Sequence, residues 1–192
     1  MEQNGKSCVI IGNTKEDIFY CSDELTDAVM HLVMDLNIRH FFNDNTSLFQ
    51  TLINTKISIA KRYCKDNVIH TNLMYKYLSP NIKITTYYNY LTQTLFSDAT
   101  KEATSTKDTF VLPMEFDDCI YLPDKRMYAK NSITYSAKRI VDMVDYVLVG
   151  TNIEDEGHQL TLDLANKLGK PIIKLSDICP KILTADNKYP PA

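Results

Sequence analysis

Short apolar runs alternate with amphipathic segments along the first half of the chain. Residues 8–11 are all apolar and end at a glycine, which is typical of a strand buried on both faces of a parallel sheet. Apolar positions at helical spacing predict helices over 22–37 and 47–63, each with a serine as its N-cap. Strands are predicted over 39–42 and 82–88. This order of strand, helix, strand, helix, strand indicates a parallel sheet.

The middle of the chain breaks this pattern, and the last third restores it. Residues 97–109 are dominated by small and polar side chains and predict a flexible loop or insertion. The predicted elements that follow are a strand over 119–122, a charged connection over 124–130, a helix over 131–144, a strand over 146–149, a helix over 157–168 and a strand over 172–175. Gly169 follows the last helix, where a left-handed C-terminal residue is common.

These elements predict a doubly wound α/β fold of the Rossmann-like type, with a mainly parallel sheet and helices on both faces. A length of 192 residues favours one domain, which we assign to residues 1–179. Residues 180–192 are rich in proline and predict a loosely ordered tail. Ligands of such sheets bind beyond the carboxyl ends of the strands, so we expect the loops at 12–17, 43–47 and 150–158 to line one cleft.

Charge and composition exclude several classes of protein. The formal net charge is −3, from 21 basic and 24 acidic residues, so we expect no tight binding to duplex nucleic acid. No apolar run approaches the roughly 18 residues that a transmembrane helix needs, and residues 1–8 lack the pattern of a signal segment. We therefore expect a cytoplasmic protein that does not associate with membranes.

The cysteines and histidines are scattered along the chain. The five cysteines form no CxxC pair, and the four histidines are equally far apart. This spacing predicts reduced thiols and no metal site, and nothing in the sequence calls for a cofactor.

Several segments of the last third carry a family resemblance. They are Ala129-Lys130-Asn131, the stretch from Ser136 to Val149 that contains Ile140-Val141-Asp142-Met143-Val144-Asp145, Gly157, and the stretch from Ala165 to Ile173 that contains Gly169-Lys170-Pro171. Together they resemble the SLOG superfamily, and within it the YpsA-like branch of small bacterial proteins. The resemblance spans roughly residues 8–175, and its motifs lie between 129 and 173.

The resemblance implies a ligand class. The superfamily includes the LOG phosphoribohydrolases, which cut the N-glycosidic bond of nucleoside monophosphates, and the DNA-processing protein A family, which binds single-stranded DNA. A nucleotide or a relative of one, lying across the strand ends, is common to these proteins. The resemblance therefore implies that this chain binds a nucleotide or a nucleotide-derived small molecule.

The chain departs from the enzymes at one motif. LOG enzymes carry Pro-Gly-Gly-x-Gly-Thr-x-x-Glu, and the corresponding stretch here is 153–161, in which Gly157 remains and Thr161 occupies the position of the glutamate. The glycosidic mechanism needs that carboxylate as an acid, a base or a nucleophile. The resemblance thus favours binding without covalent chemistry.

Three hypotheses of function follow. The first is a sensor or sequestering module that binds a nucleotide-derived ligand. The second is a nucleotide N-glycosidase that uses a displaced carboxylate, for which the candidates are Glu154, Asp155 and Glu156. The third is a self-associating protein with a vestigial cleft. Under each hypothesis we expect a homo-oligomer, either a dimer or a tetramer.

The candidate ligand-binding residues lie in the loops after the predicted strands and at helix starts. They are Gly12, Asn13, Thr14, Asp44, Asn45, Thr46, Ser47, Lys130, Asn131, Gly150, Thr151, Gly157 and His158. Gly157 begins a predicted helix, whose free amide groups attract anions.

Structural alternatives exist for most of these candidates. The residues at 12–14 are also ordinary turn residues, and those at 44–47 suit an Asx turn followed by an N-cap. The acidic residues at 154–156 would satisfy the helix N-terminus themselves, and an isolated histidine such as His158 is more often a surface residue. Tyrosines at 87–90 offer a stacking surface for a base or ordinary packing.

Overall fold

The computed structural model describes residues 5–13, 22–64, 69–75, 83–85, 109–122 and 129–180. The strands are β1 (Lys6–Ile11), β2 (Ile38–Asn43), β3 (His70–Tyr75), β4 (Lys83–Thr85), β5 (Thr109–Val111), β6 (Asp118–Tyr121), β7 (Tyr146–Val149) and β8 (Ile172–Lys174). The helices of these ranges are α1 (Ser22–Met34), α2 (Leu48–Tyr63), α3 (Ala129–Met143), α4 (Glu156–Lys167) and α5 (Leu175–Ile178).

Six strands form one sheet in the order β6-β3-β2-β1-β7-β8, and every neighbouring pair is parallel. The chain passes from β1 through β2 and β3 to β6 on one side, and then continues with β7 and β8 on the other side of β1. The point at which the strand order reverses lies between β1 and β7, which is where doubly wound proteins bind ligands. The predicted fold class is confirmed.

Alternating side chains of β1 pack in two separate cores, because successive residues of a strand point to opposite faces. Cys8 and Ile10 of β1 pack in a core with α1 and α2. Val9 and Ile11 pack in a second core with α3 and α4. All four side chains are at most 1% exposed. This double burial explains why β1 is entirely apolar after its first two residues.

The strand predicted over 82–88 is confirmed at Lys83–Thr85, but its predicted place as the third strand of the main sheet is wrong. Lys83–Thr85, within the predicted strand 82–88, pairs with Thr109–Val111 in a separate two-stranded sheet. The third strand of the main sheet is instead β3, at His70–Tyr75, which the hydrophobic pattern does not predict. β3 contains buried polar residues, Thr71 and Asn72, so its sequence lacks the apolar run of an interior strand.

Two other predictions need adjustment. Helix α3 begins at Ala129 and not at 131, so the end of the predicted charged connection is helical. Thr109, predicted as the end of a loop, belongs to β5. The remainder of that loop and the tail after residue 180 lie outside the described residues.

None of the described helices has the length and the apolar composition that crossing a bilayer requires.

Candidate functional site

The predicted loops meet at the carboxyl edge of the sheet. β1 lies between β2 and β7, and the three strands run in the same direction. Their ends therefore place Gly12, Asp44 and Gly150 at one edge, beside the point where the strand order reverses. Asp145 lies at the opposite edge, where its carboxylate accepts hydrogen bonds from the backbone N–H (2.8 Å) and the hydroxyl (2.9 Å) of Ser7.

The loops after β1 and β7 are joined by a short antiparallel bridge. The backbone N–H of Asn13 donates to the carbonyl of Asn152 at 2.6 Å, and the N–H of Asn152 donates to the carbonyl of Asn13 at 3.0 Å. A third bond runs from the N–H of Gly150 to the carbonyl of Ile11, at 3.0 Å. The backbone atoms that were predicted to approach a ligand here bind each other.

This bridge needs glycine on both sides. Gly12 has a φ of 86°, and a Cβ there would lie 2.7 Å from the carbonyl oxygen of Asn152. A Cβ on Gly150 would overlap the carbonyl oxygen of Asn13. Both glycines thus allow two backbones to approach closely, which is a structural use of the residue type.

His158 is buried and bonded on both sides of its ring. Its Nδ1 accepts from the N–H of Gly12 at 3.3 Å, so in the neutral ring Nε2 carries the proton. Nε2 lies 3.2 Å and 3.3 Å from the two carboxylate oxygens of Asp44. The side chains of His158 and Asp44 are 6% and 5% exposed. The alternative of a surface histidine is therefore wrong, and both ring nitrogens are bound by the protein.

The loop at 44–47 is held by its own side chains. The Ser47 hydroxyl donates to the carbonyl of Gly12 at 2.9 Å and accepts from the N–H of Gln50 as the N-cap of α2. Thr46 donates to Asp44 at 2.8 Å, and the N–H of Asn45 donates to the Asn43 side chain at 3.1 Å. The turn and the cap account for these contacts.

The N-terminus of α4 is already capped. Asp155 is the N-cap, and its carboxylate accepts from the N–H of His158 at 2.9 Å. The carboxylate of Glu154 accepts from the side chain of Asn152 at 2.6 Å. Thr161 is buried, and its hydroxyl donates to the carbonyl of Gly157 at 2.7 Å. The side chains of Glu154, Asp155 and Glu156 are exposed, whereas the Thr161 hydroxyl is turned toward its own helix.

Two cavities lie at this edge among the residues that the structure describes. We call the smaller one the inner cavity; its volume is ≈ 20 Å³. It is lined by apolar side chains of the sheet and of α3, together with four polar residues: Asp44, Ser136, His158 and Thr161. Its volume exceeds the roughly 10–15 Å³ that one water molecule needs.

The larger one, which we call the outer cavity, has a volume of ≈ 370 Å³. It lies beyond the ends of β7 and β8. Its lining residues are Val149, Gly150, Thr151, Asn152, Ile153, Gln159, Leu162, Ile172, Lys174 and Ser176. Four of them are apolar, one is a cation and none is an acid, so the cavity offers an apolar wall and a polar rim.

The structure separates the predicted residues into groups. Gly150 and Thr151 line the outer cavity, and Asp44, Gly157 and His158 line the inner one. Asn131 is exposed in the first turn of α3, away from both. Thr14, the Lys130 side chain and the tyrosines at 87–90 lie outside the described residues.

Six polar lining residues were not among the predicted ligand-binding residues: Ser136, Asn152, Gln159, Thr161, Lys174 and Ser176. Lys174 is the last residue of β8, so the rule that ligands bind at carboxyl ends would have found it. Ser136 carries no signal in the sequence, because one serine in an amphipathic helix is common.

Within the described ranges, no three histidine, cysteine, aspartate or glutamate side chains come together to hold a metal ion. Burial raises the pKa of the Cys8 thiol to about 12 and that of Cys119 to about 11. Both thiols are therefore protonated near neutral pH and are poor nucleophiles.

The fold and this edge define a doubly wound α/β protein with ligand-sized space at its strand ends. No protein-family model matches the chain, and no curated protein matches its sequence. Membership of the SLOG superfamily thus stays a prediction that rests on the motifs between 129 and 173.

Proposed function

We propose that this protein binds a nucleotide or a nucleotide-derived small molecule, as a sensor or sequestering module, and that the outer cavity holds the ligand. The observation that carries this proposal is the ≈ 370 Å³ of space at the carboxyl ends of β7 and β8. Ligand sites commonly have volumes of about 300–1,000 Å³, so this volume suits a ligand of mononucleotide size.

The lining supports this ligand class. Ile153, Leu162 and Ile172 offer an apolar surface for a flat base. Lys174 supplies a cation for a phosphate, and no described residue forms an ion pair with it. Gln159 supplies an amide that can donate to and accept from a base or a ribose.

The carboxyl edge supports binding without covalent chemistry. The Thr161 hydroxyl is neutral near pH 7 and already donates to its own helix. Asp155, one of the three candidates for a displaced carboxylate, is engaged as the N-cap of α4. We therefore expect no release of free base from nucleoside monophosphates in a chromatographic assay, since a lost acid or base costs about 10²–10⁴ in rate.

Calorimetric titration of the protein with the common nucleoside monophosphates tests the site. We expect Lys174→Ala to weaken binding about tenfold, which corresponds to about 1.4 kcal/mol, because the phosphate loses its cation. Leu162→Trp should abolish binding, because the indole ring of the introduced side chain fills the cavity. Lys167→Ala is the matched control, since it removes an equal charge from an exposed position at the end of α4.

Equal affinities for Lys174→Ala, Lys167→Ala and the unchanged protein would place the ligand elsewhere. Failure of every nucleotide to bind would favour the third hypothesis, a self-associating protein with a vestigial cleft. Base release that disappears in Asp155→Ala would favour the N-glycosidase.

A further inference from the structure

A buried hydroxyl without a protein partner faces the inner cavity. Ser136 is 2% exposed, and its Oγ has no hydrogen-bond partner among the described residues. Buried polar atoms are nearly always paired, because an unpaired one loses its hydration and gains nothing in return. Ser136 belongs to α3 and lines the inner cavity together with Asp44 and Thr161.

The polar groups around this cavity are mainly acceptors. The Asp44 carboxylate is an acceptor when it is ionised. The Thr161 hydroxyl donates a hydrogen bond to the carbonyl of Gly157, so toward the cavity its oxygen can only accept. The ring nitrogens of His158 are bound to Gly12 and Asp44. Ser136 is the group among them that can both donate and accept.

We propose that the inner cavity binds one water-sized hydrogen-bond donor, which contacts Ser136 and Asp44. A volume of ≈ 20 Å³ holds one group of the size of a water molecule or an amino group. The two sources of this chemistry are a bound water molecule and the amino group of a small molecule. Either one satisfies the hydroxyl of Ser136 and brings a donor to the buried carboxylate.

Thermal unfolding of Ser136→Ala tests the proposal through the sign of the change. If the hydroxyl is bonded to a bound group, its removal lowers Tm by about 2–4 °C in a chain of this size. If the hydroxyl is unpaired, its removal relieves a desolvation cost, and Tm stays constant or rises.

Thr71→Val is the matched control. Its Oγ1 is likewise buried and without a partner, but Thr71 lines neither cavity, and valine has nearly the same shape. We expect Tm to stay constant or rise in this variant and to fall in Ser136→Ala. A Ser136→Ala protein with a Tm equal to or above that of the unchanged protein would overturn the proposal.

Two further measurements distinguish the sources. A crystal structure of the ligand-free protein at high resolution should show an ordered oxygen within hydrogen-bond distance of Ser136 Oγ if the group is water. Methylammonium chloride, compared with sodium chloride, should raise Tm of the unchanged protein but not of Ser136→Ala if the group is an amine. If the crystal structure shows no ordered oxygen at Ser136 and methylammonium causes no selective rise in Tm, the proposed site is refuted.

Discussion

His158 connects three elements through one side chain. Its ring lies on α4, accepts from Gly12 after β1 and binds Asp44 after β2. The ring is almost completely buried, so water cannot replace either contact without a local opening. A histidine used in this way is a structural cross-link, and this explains its place at the first turn of α4 better than a role in contacting ligand.

Replacement of His158 by phenylalanine should be costly. The ring size is similar, but the N–H of Gly12 and the carboxylate of Asp44 lose their partner inside the protein. We expect a loss of about 2–3 kcal/mol in the free energy of unfolding, measured by urea titration. The double variant with Asp44→Leu should recover part of that loss, because it removes a buried carboxylate that has lost one of its hydrogen-bond donors.

A loss below about 0.5 kcal/mol in His158→Phe would show that these contacts contribute little.

Among the elements, the bridge between the loops after β1 and β7 shapes the carboxyl edge. Gly150 and Asn152 of this bridge line the outer cavity, and the close approach of the two loops depends on Gly12 and Gly150. The sequence marks both glycines as turn residues but does not show that they face each other. Their pairing requires the strand order, which places β7 directly beside β1.

Gly150→Ala should open this bridge. Its Cβ has no room beside the carbonyl of Asn13, so we expect a loss of about 1–3 kcal/mol in stability and faster hydrogen exchange at the amides of Asn13 and Asn152. Gly169→Ala is the control, because a Cβ there meets no atom within 4 Å and only the φ of 66° is unfavourable. Unchanged exchange at both amides in Gly150→Ala would contradict this account.

Element by element, the sequence predicts apolar strands better than mixed ones. β1, β7 and the helices on either side follow hydrophobic periodicity, so their predicted positions agree with the structure to within a few residues. β3 was missed because it buries Thr71 and Asn72. The Asn72 amide donates to the carbonyl of Phe41 at 3.3 Å, a compensation that periodicity cannot reveal.

For the molecule as a whole, acid pH should reduce stability through a pair of stacked histidines. His40 and His70 lie opposite each other on β2 and β3, with ring centroids 5.2 Å apart. Burial, and then the charge of His70, lower the pKa of His40 below its usual 6.5. The unfolded chain therefore binds more protons than the folded chain as the pH falls below about 6.5.

We expect the free energy of unfolding to decrease from pH 7 to pH 5.5, and to decrease less in His40→Phe, which keeps a stacked ring but does not titrate. His70→Phe should be intermediate, because the burial of His40 remains and only the neighbouring charge is lost. Urea titrations at several pH values provide the measurement. If the free energy of unfolding changes equally with pH in all three proteins, His40 is excluded as the source of the pH dependence.

The meeting of the three loops was predictable at this scale, and the form of the cavities beside them was not. Parallel strands have their carboxyl ends at one edge, which correctly brings the loops of β1, β2 and β7 together. Whether those loops bind each other or leave space depends on contacts such as Asn13 with Asn152, between residues distant in the sequence. Such contacts cannot be predicted from the hydrophobic pattern of a single sequence.

The position of β1 also has a consequence for how the protein is made. A ribosome completes β1 and β2 early, but β7 and α4 emerge only with the last third of the chain. Until then one edge of β1, a strand whose side chains are buried from Ser7 onward, has no partner, and such edges are prone to wrong pairing. Both cavities and the His158 cross-link therefore form late in synthesis, and the nascent chain depends on slow, long-range pairing to close its central strand.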